Sequence, residues 1–212
     1  RRFQQRKLDA LFQQYPQGKF WVNNVKARGF FGEAGDRHLL SGSEGHHPAT
    51  GGSMENYGKT TGEKEWREEL LATLDAVKHG WRLIAWSKGS GGAGSGAYRL
   101  FAYATFLLAW EPDAQLWFGG KWGGLHQAPD GFLYHELGRP LEHFATPDEA
   151  ALTDVPGVYV RRYEHGLVLV NAGIARDRVV TLDSALIDPD SSRAMQEVTL
   201  PAMSAKILMK PD

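Results

Sequence analysis

The amino-acid sequence predicts an α/β protein whose strands run in parallel, followed by a smaller all-β region. Up to about residue 150, short apolar runs alternate with segments of helical periodicity. Strand and helix in strict alternation indicate a parallel sheet with crossover helices, because parallel neighbours need a long connection. Beyond that point, short β-rich runs follow one another without a helical segment between them. We therefore assign residues 1–150 to the first domain and residues 151–212 to the second.

The first half of the α/β region combines one helix, one strand and a long loop. Residues 3–15 carry apolar side chains three and four positions apart, which predicts an amphipathic helix. Residues 20–22 form a short run of β-forming residues and predict a buried strand. Residues 29–53 are rich in glycine and polar side chains and predict a long loop that shapes a site. Residues 53–57 are a second candidate strand, although their β propensity is mediocre.

Two helices and two further strands complete this region. Residues 63–79 place apolar side chains at helical spacing, and the glycine that follows predicts the end of the helix. Residues 82–86 and 115–118 are predicted strands. Residues 97–110 are apolar on nearly every side, so we expect this helix to be covered on more than one side.

The second region shows five short β-rich runs, separated by turn residues such as Glu164, Gly166, Asn171 and Gly173. This pattern predicts a small antiparallel sandwich. The runs are residues 158–160, 167–170, 178–182, 197–200 and 206–209.

Composition narrows the class of protein. Hydrophobic residues make up 42% and charged residues 23%, which is typical of a folded globular chain. The formal net charge of -1 lacks the basic excess that nucleic acid or an anionic membrane would attract, so we predict neither partner. The absence of cysteine excludes disulfides and a cysteine nucleophile. The first residue is Arg1, from which we expect a processed product or one piece of a longer protein.

A family resemblance rests on two features of the sequence. The first is the set of four strand-to-loop junctions, and the second is the C-terminal tail at residues 161–171, 198–201 and 206–209. The chain resembles the C-terminal half of α/β-barrel glycoside hydrolases, including poorly characterised families with this layout. The resemblance implies a half (β/α)-barrel of about four parallel strands, followed by a β-sandwich domain. A complete barrel has eight strands, so a half-barrel leaves two sheet edges unpaired, at residues 20–22 and 115–118, and we therefore predict a homodimer or a complex that completes the barrel.

Hydrolysis of a glycosidic bond needs two carboxyl groups, one as acid and one as nucleophile or base. Glu55 is the first candidate, because it falls at the predicted C-terminal end of a strand, where barrel enzymes place their chemistry. Asn56 and Tyr57 beside it are predicted to hydrogen-bond sugar hydroxyls. The alternative is that Glu55 is a solvated loop residue. For the second carboxylate, the favoured interpretation is that it is missing from this chain or supplied by another chain. Four loop residues are equal, less favoured candidates: Glu33, Asp36, Glu44 and Asp130.

Aromatic and polar side chains at the predicted strand ends suit a carbohydrate cleft. Sugars present apolar C–H faces to aromatic rings and hydroxyls to amide and ammonium groups. The predicted binding residues are Asn24, Trp86, Lys88, Trp117 and Trp122. For Trp86 and Trp117, the alternative is that strand alternation places them in the core.

Other chemistries have weaker support. Gly89, Gly91 and Gly94 satisfy a dinucleotide fingerprint, but no acidic residue ends the next strand as that fingerprint requires. The pair His46 and His47 lacks a metal-ligand spacing, so no metal site is predicted, and no cofactor is predicted either.

The sequence favours a glycoside hydrolase-like protein. The alternatives are a non-catalytic carbohydrate-binding or assembly protein and, less favoured, a nucleotide-binding enzyme.

Overall fold

The computed structural model describes residues 2–22, 49–87, 95–120 and 131–211. Two short 3-10 helices, Gly131–Tyr134 and Pro147–Ala150, lie between the two sheets in sequence. The α-helices of these residues are α1 (Arg2–Gln14), α2 (Glu63–Lys78) and α3 (Ser95–Ala109). The strands are β1 (Trp21–Val22), β2 (Gly51–Glu55), β3 (Leu83–Ser87), β4 (Leu116–Gly120), β5 (Val158–Tyr163), β6 (Gly166–Asn171), β7 (Arg178–Asp188), β8 (Arg193–Leu200) and β9 (Ser204–Met209).

The first sheet is parallel and has the order β1-β2-β3-β4. The predicted parallel arrangement of four strands is therefore confirmed. Its register pairs Gly52 with Leu83 and Leu83 with Leu116. In the described part of the chain, β1 and β4 form the two edges of this sheet.

Helices α2 and α3 cover one face of the parallel sheet. Paired residues of neighbouring strands share a face, so Met54, Ala85 and Phe118 form one row. That row packs in a buried cluster with Ala76 of α2 and Phe106 of α3. Burial of these apolar side chains removes them from water and holds the helices on the sheet.

Helix α3 is covered on two sides, as its almost uniform apolar character predicts. Phe106 packs towards the parallel sheet, whereas Phe101 and Leu108 pack in a second cluster with Val168 of β6 and Ile207 of β9. The helix therefore lies between the two sheets. This is the physical reason that its sequence has no polar face.

The second sheet is antiparallel and has the order β5-β6-β9-β7-β8. The register of β7 against β8 is irregular between Thr181 and Leu186, and β7 meets β9 at the pair Ile187 and Met209. Apolar side chains of β5, β6 and β9 form one cluster with those of β7 and β8; it includes Val158, Val160, Leu169, Val180, Leu182, Leu186, Val198, Leu200 and Leu208.

Several predicted elements differ from the structure in position or burial. The run 20–22, predicted to be a buried strand, is the two-residue strand β1, in which Trp21 is 44% exposed. β2 ends at Glu55, and residues 56–58 form a turn, because Asn56 and Gly58 adopt positive φ angles of 58° and 81°. Helix α1 begins and ends one residue before the predicted range of 3–15, and Leu11 and Tyr15, both placed on its apolar stripe, are 40% and 54% exposed. Among the helices that the structure describes, none is long and apolar enough to cross a membrane.

Candidate functional site

Glu55 is the last residue of β2, at the carboxyl edge of the parallel sheet. The register pairs Glu55 with Trp86 of β3 and Trp86 with Gly119 of β4. Since paired residues share a face, these three residues form one row on the face opposite α2 and α3. In a parallel α/β sheet, the carboxyl ends of the strands are where ligands bind.

Three indole rings lie on the same face as Glu55. We call this surface the tryptophan face and define it by Trp21, Ser53, Glu55, Ile84, Trp86 and Trp117. Trp21 and Trp117 are 44% and 50% exposed, and Trp86 is half-buried. The sequence interpretation that Trp117 fills the core is therefore wrong.

Glycines make room for two of the indole rings. A Cβ atom at Gly119 would approach the ring of Trp86 to 2.7 Å, and a Cβ at Gly51 would overlap the ring of Trp21. Each ring therefore lies against the backbone of a neighbouring strand. The exposed part of the Trp21 ring suits a flat apolar ligand surface, such as the C–H face of a sugar.

Tyr57 is a core residue, which corrects the expectation that it contacts a sugar. Its side chain is fully buried, and its hydroxyl lies 3.0 Å from Thr73 Oγ1. Burial raises the pKa of Tyr57 far above its usual value, because the phenolate would lose its hydration. Asn56 is half-buried, and its carbonyl oxygen accepts the Lys59 N–H at 2.9 Å.

Several predicted residues lie outside the described part of the chain. They comprise three binding residues, the four candidate second carboxylates, the histidine pair and the dinucleotide-like glycines: Asn24, Lys88, Trp122, Glu33, Asp36, Glu44, Asp130, His46, His47, Gly89, Gly91 and Gly94. Within the residues that are described, no group of three His, Asp or Glu side chains is arranged to hold a metal ion.

An aromatic groove runs beside β4. It has a volume of about 390 Å³, and Trp110, Trp117, Phe118, Tyr103 and His135 are among the residues that line it. Trp117 thus belongs to both the groove and the tryptophan face. Sequence patterns did not single out Trp21, which is 44% exposed, or Trp110, which is partly buried and lines the groove. One sequence feature could have indicated the position of Trp21: it lies in a predicted strand, and the next strand begins with two glycines that leave room for a large ring.

The described residues define an α/β protein with a parallel sheet, an aromatic face at one side of that sheet and a separate antiparallel sheet. No protein-family model matches the chain. No curated protein matches it either.

Proposed function

We propose that the chain is a glycoside hydrolase-like protein that acts on a carbohydrate at the carboxyl edge of the parallel sheet. The observation that supports this most is the row of Glu55 and Trp86 on one face of the sheet. Glu55 supplies a carboxyl group for acid, base or nucleophilic work, and the adjacent indole supplies a stacking surface for a pyranose ring.

We also propose that the parallel sheet is half of a (β/α)-barrel and that the antiparallel strands form a β-sandwich, in which β7 and β8 pack their apolar side chains against those of β5, β6 and β9. In a barrel, helices surround the strands and the other face of each strand lines the interior. Helices on one face and tryptophans on the other fit that arrangement. The tryptophan face is then the interior side of the barrel, and Glu55 lies at its mouth.

The test of this function is a panel of aryl glycosides and polysaccharides, screened with the wild-type protein and Glu55→Gln. We expect Glu55→Gln to lower kcat about 100-fold or more while Kd for the same glycan changes less than about threefold. Glu136→Gln is the matched control, because Glu136 is an exposed glutamate outside the tryptophan face. Equal turnover by wild type and Glu55→Gln would refute the catalytic assignment.

A non-catalytic carbohydrate-binding protein is the second candidate, and the exposure of Trp21 and Trp117 favours it. Loss of one stacked ring removes about 0.5 to 1.5 kcal/mol, which corresponds to a roughly two- to twelvefold weaker Kd. Trp117→Ala is then expected to weaken glycan binding, whereas Glu55→Gln leaves it unchanged. A panel without turnover but with tight glycan binding would select this candidate.

A further inference from the structure

The turn that follows Glu55 is held by side chains from both neighbouring helices. Glu69 of α2 accepts the Gly58 N–H through Oε1 at 2.7 Å. Tyr98 of α3 donates its hydroxyl hydrogen to the Tyr57 carbonyl oxygen at 3.0 Å. These two contacts, together with the bond between Tyr57 and Thr73, connect a three-residue turn to two helices.

The conformation of this turn requires such support. Asn56 is a non-glycine residue at a φ of 58°, a conformation that costs about 1 kcal/mol or more and persists where the surroundings enforce it. Gly58 has a φ of 81°, and a Cβ atom there would lie 2.6 Å from the Ala102 Cβ. The turn therefore combines an unfavourable backbone conformation with close contact to α3.

The same turn continues the hydrogen bonding of β2 past its last residue. The Tyr57 N–H, two residues beyond Glu55, donates to the Trp86 carbonyl oxygen at 2.9 Å. Glu55 therefore lies between a backbone that is paired with β3 and a turn that Glu69 and Tyr98 hold. Any shift of the turn would change the direction in which the Glu55 side chain leaves the sheet.

We propose that Glu69, assisted by Tyr98, is the positioning residue for Glu55. The Glu69 carboxylate holds the Gly58 N–H, and through the turn it keeps the Glu55 carboxyl group beside Trp86 on the tryptophan face. Glu69 acts through the backbone and does not itself contact the carbohydrate. This inference rests on the proposed function, in which Glu55 carries the chemistry.

Glu69→Ala tests the proposal, with Glu65→Ala as the matched control. Glu65 lies one helical turn earlier on α2, and its Oε2 also accepts a backbone N–H, that of Thr61, at 2.7 Å. A displaced reactive group costs up to about 100-fold in rate, so we expect Glu69→Ala to lower kcat 10- to 100-fold with KM changed less than about threefold. Glu69→Gln is expected to restore most of kcat, because its amide oxygen still accepts the N–H. Glu65→Ala is expected to retain wild-type kcat.

A readout without turnover separates this proposal from the proposed function. With ¹³C-labelled glutamate, the side-chain carboxyl resonance of Glu55 is identified by its disappearance in Glu55→Gln. We expect Glu69→Ala and Tyr98→Phe to displace that resonance and Glu65→Ala to leave it in place. An unchanged resonance in folded Glu69→Ala would overturn the positioning role, as would an equal displacement in Glu65→Ala. A displaced resonance without turnover on any glycoside would overturn the proposed function and support the positioning role.

Discussion

Asn56 and Tyr57 are adjacent in the sequence, yet the structure gives them different environments. The positive φ of Asn56 redirects the chain after Glu55, so that the Tyr57 side chain enters the helix-covered core. There its hydroxyl bonds to Thr73 and, with its pKa raised by burial, stays protonated at ordinary pH. The role of Tyr57 is thus to anchor the turn that carries Glu55.

Tyr57→Phe is therefore expected to affect stability and not glycan affinity. Removal of one buried hydrogen bond costs about 1 kcal/mol, and urea unfolding measures that loss. Tyr15→Phe is the control, since Tyr15 is 54% exposed and its loss should leave stability unchanged. Isothermal titration calorimetry with a glycan that binds in the panel should give the same Kd for wild type and Tyr57→Phe. A more than fivefold weaker Kd would mean that the hydroxyl contacts the ligand.

Asp188 is a buried carboxylate of the second sheet, and its environment favours the charged form. Burial by itself would raise its pKa, but hydrogen bonds from Lys206 and Ser191 outweigh burial and lower the pKa below its usual value. The Lys206 Nζ atom lies 2.7 Å from Asp188 Oδ2. A folded-state pKa below the unfolded-state pKa stabilises the protein above the unfolded value, and the contribution is lost as pH falls through the folded value.

Asp188→Asn is accordingly expected to destabilise the protein in a pH-dependent way. At pH 7 the loss should be about 1.5 to 3 kcal/mol, the usual range for hydrogen bonds to a charged group. The difference from wild type should shrink as the pH falls below about 4, where unfolded aspartate becomes protonated, and should be smallest once the pH lies below the folded-state pKa of Asp188. Denaturant unfolding at several pH values measures it, with the exposed Asp183→Asn as control. A difference that stays constant between pH 7 and pH 2 would contradict this explanation.

At the level of elements, the C-terminal end of α3 is capped by a side chain from the second sheet. The last carbonyl groups of a helix have no partner within it, and a cation there also interacts favourably with the helix dipole. Arg161 of β5 is fully buried and donates to the carbonyl oxygens of Leu107 at 3.1 Å and Trp110 at 2.6 Å. It also forms an ion pair with Glu111. This arginine connects the antiparallel sheet to the helix that covers the parallel one.

Arg161→Met and Arg162→Met form a matched pair of substitutions on β5. Arg161→Met should cost about 3 to 5 kcal/mol, because it leaves Glu111 and the helix carbonyls without their cation. Arg162 is exposed and pairs with Glu142 at 2.8 Å, so Arg162→Met should cost less than about 1 kcal/mol. Thermal and urea unfolding compare the two variants. Equal losses would show that Arg161 does not hold the two sheets together.

At the level of the whole molecule, the parallel sheet has helices on one face and half-exposed tryptophans on the other. Its edge strands β1 and β4 present unpaired backbone groups along the described sheet. Exposed edges and apolar faces promote association. We therefore maintain the proposal of a homodimer or complex that completes a barrel, with the homodimer as the form to test.

Light scattering at micromolar concentration tests this assembly. We expect a particle of twice the 23.5 kDa chain mass, and Trp117→Lys should convert it to a monomer, because the substitution places a charge on the tryptophan face. Val179→Lys is the control, since Val179 is also 50% exposed but lies on β7 of the other sheet. A stable wild-type monomer would contradict the homodimer.

Local sequence pattern was sufficient for the type of each α-helix and strand of the described chain and for the parallel direction of the first four strands, but not for the two 3-10 helices. Helical periodicity located α2 within one residue at its C-terminal end, and the apolar character of α3 predicted its cover on two sides. Glu55 was predicted near a strand end, but the predicted strand ran to residue 57, whereas β2 stops at Glu55 because a turn with positive φ angles begins at Asn56.

Tertiary contacts decided the environment of individual side chains. The Tyr57 hydroxyl bonds to Thr73 of α2, and the Trp21 ring lies against Gly51 of β2. Arg161 of β5 caps α3, which ends more than 50 positions earlier in the chain. Hydrogen bonding and burial depend on which segments meet in space. A short-range sequence pattern predicts local secondary structure. It does not predict these tertiary contacts, because they join residues that are far apart in the sequence.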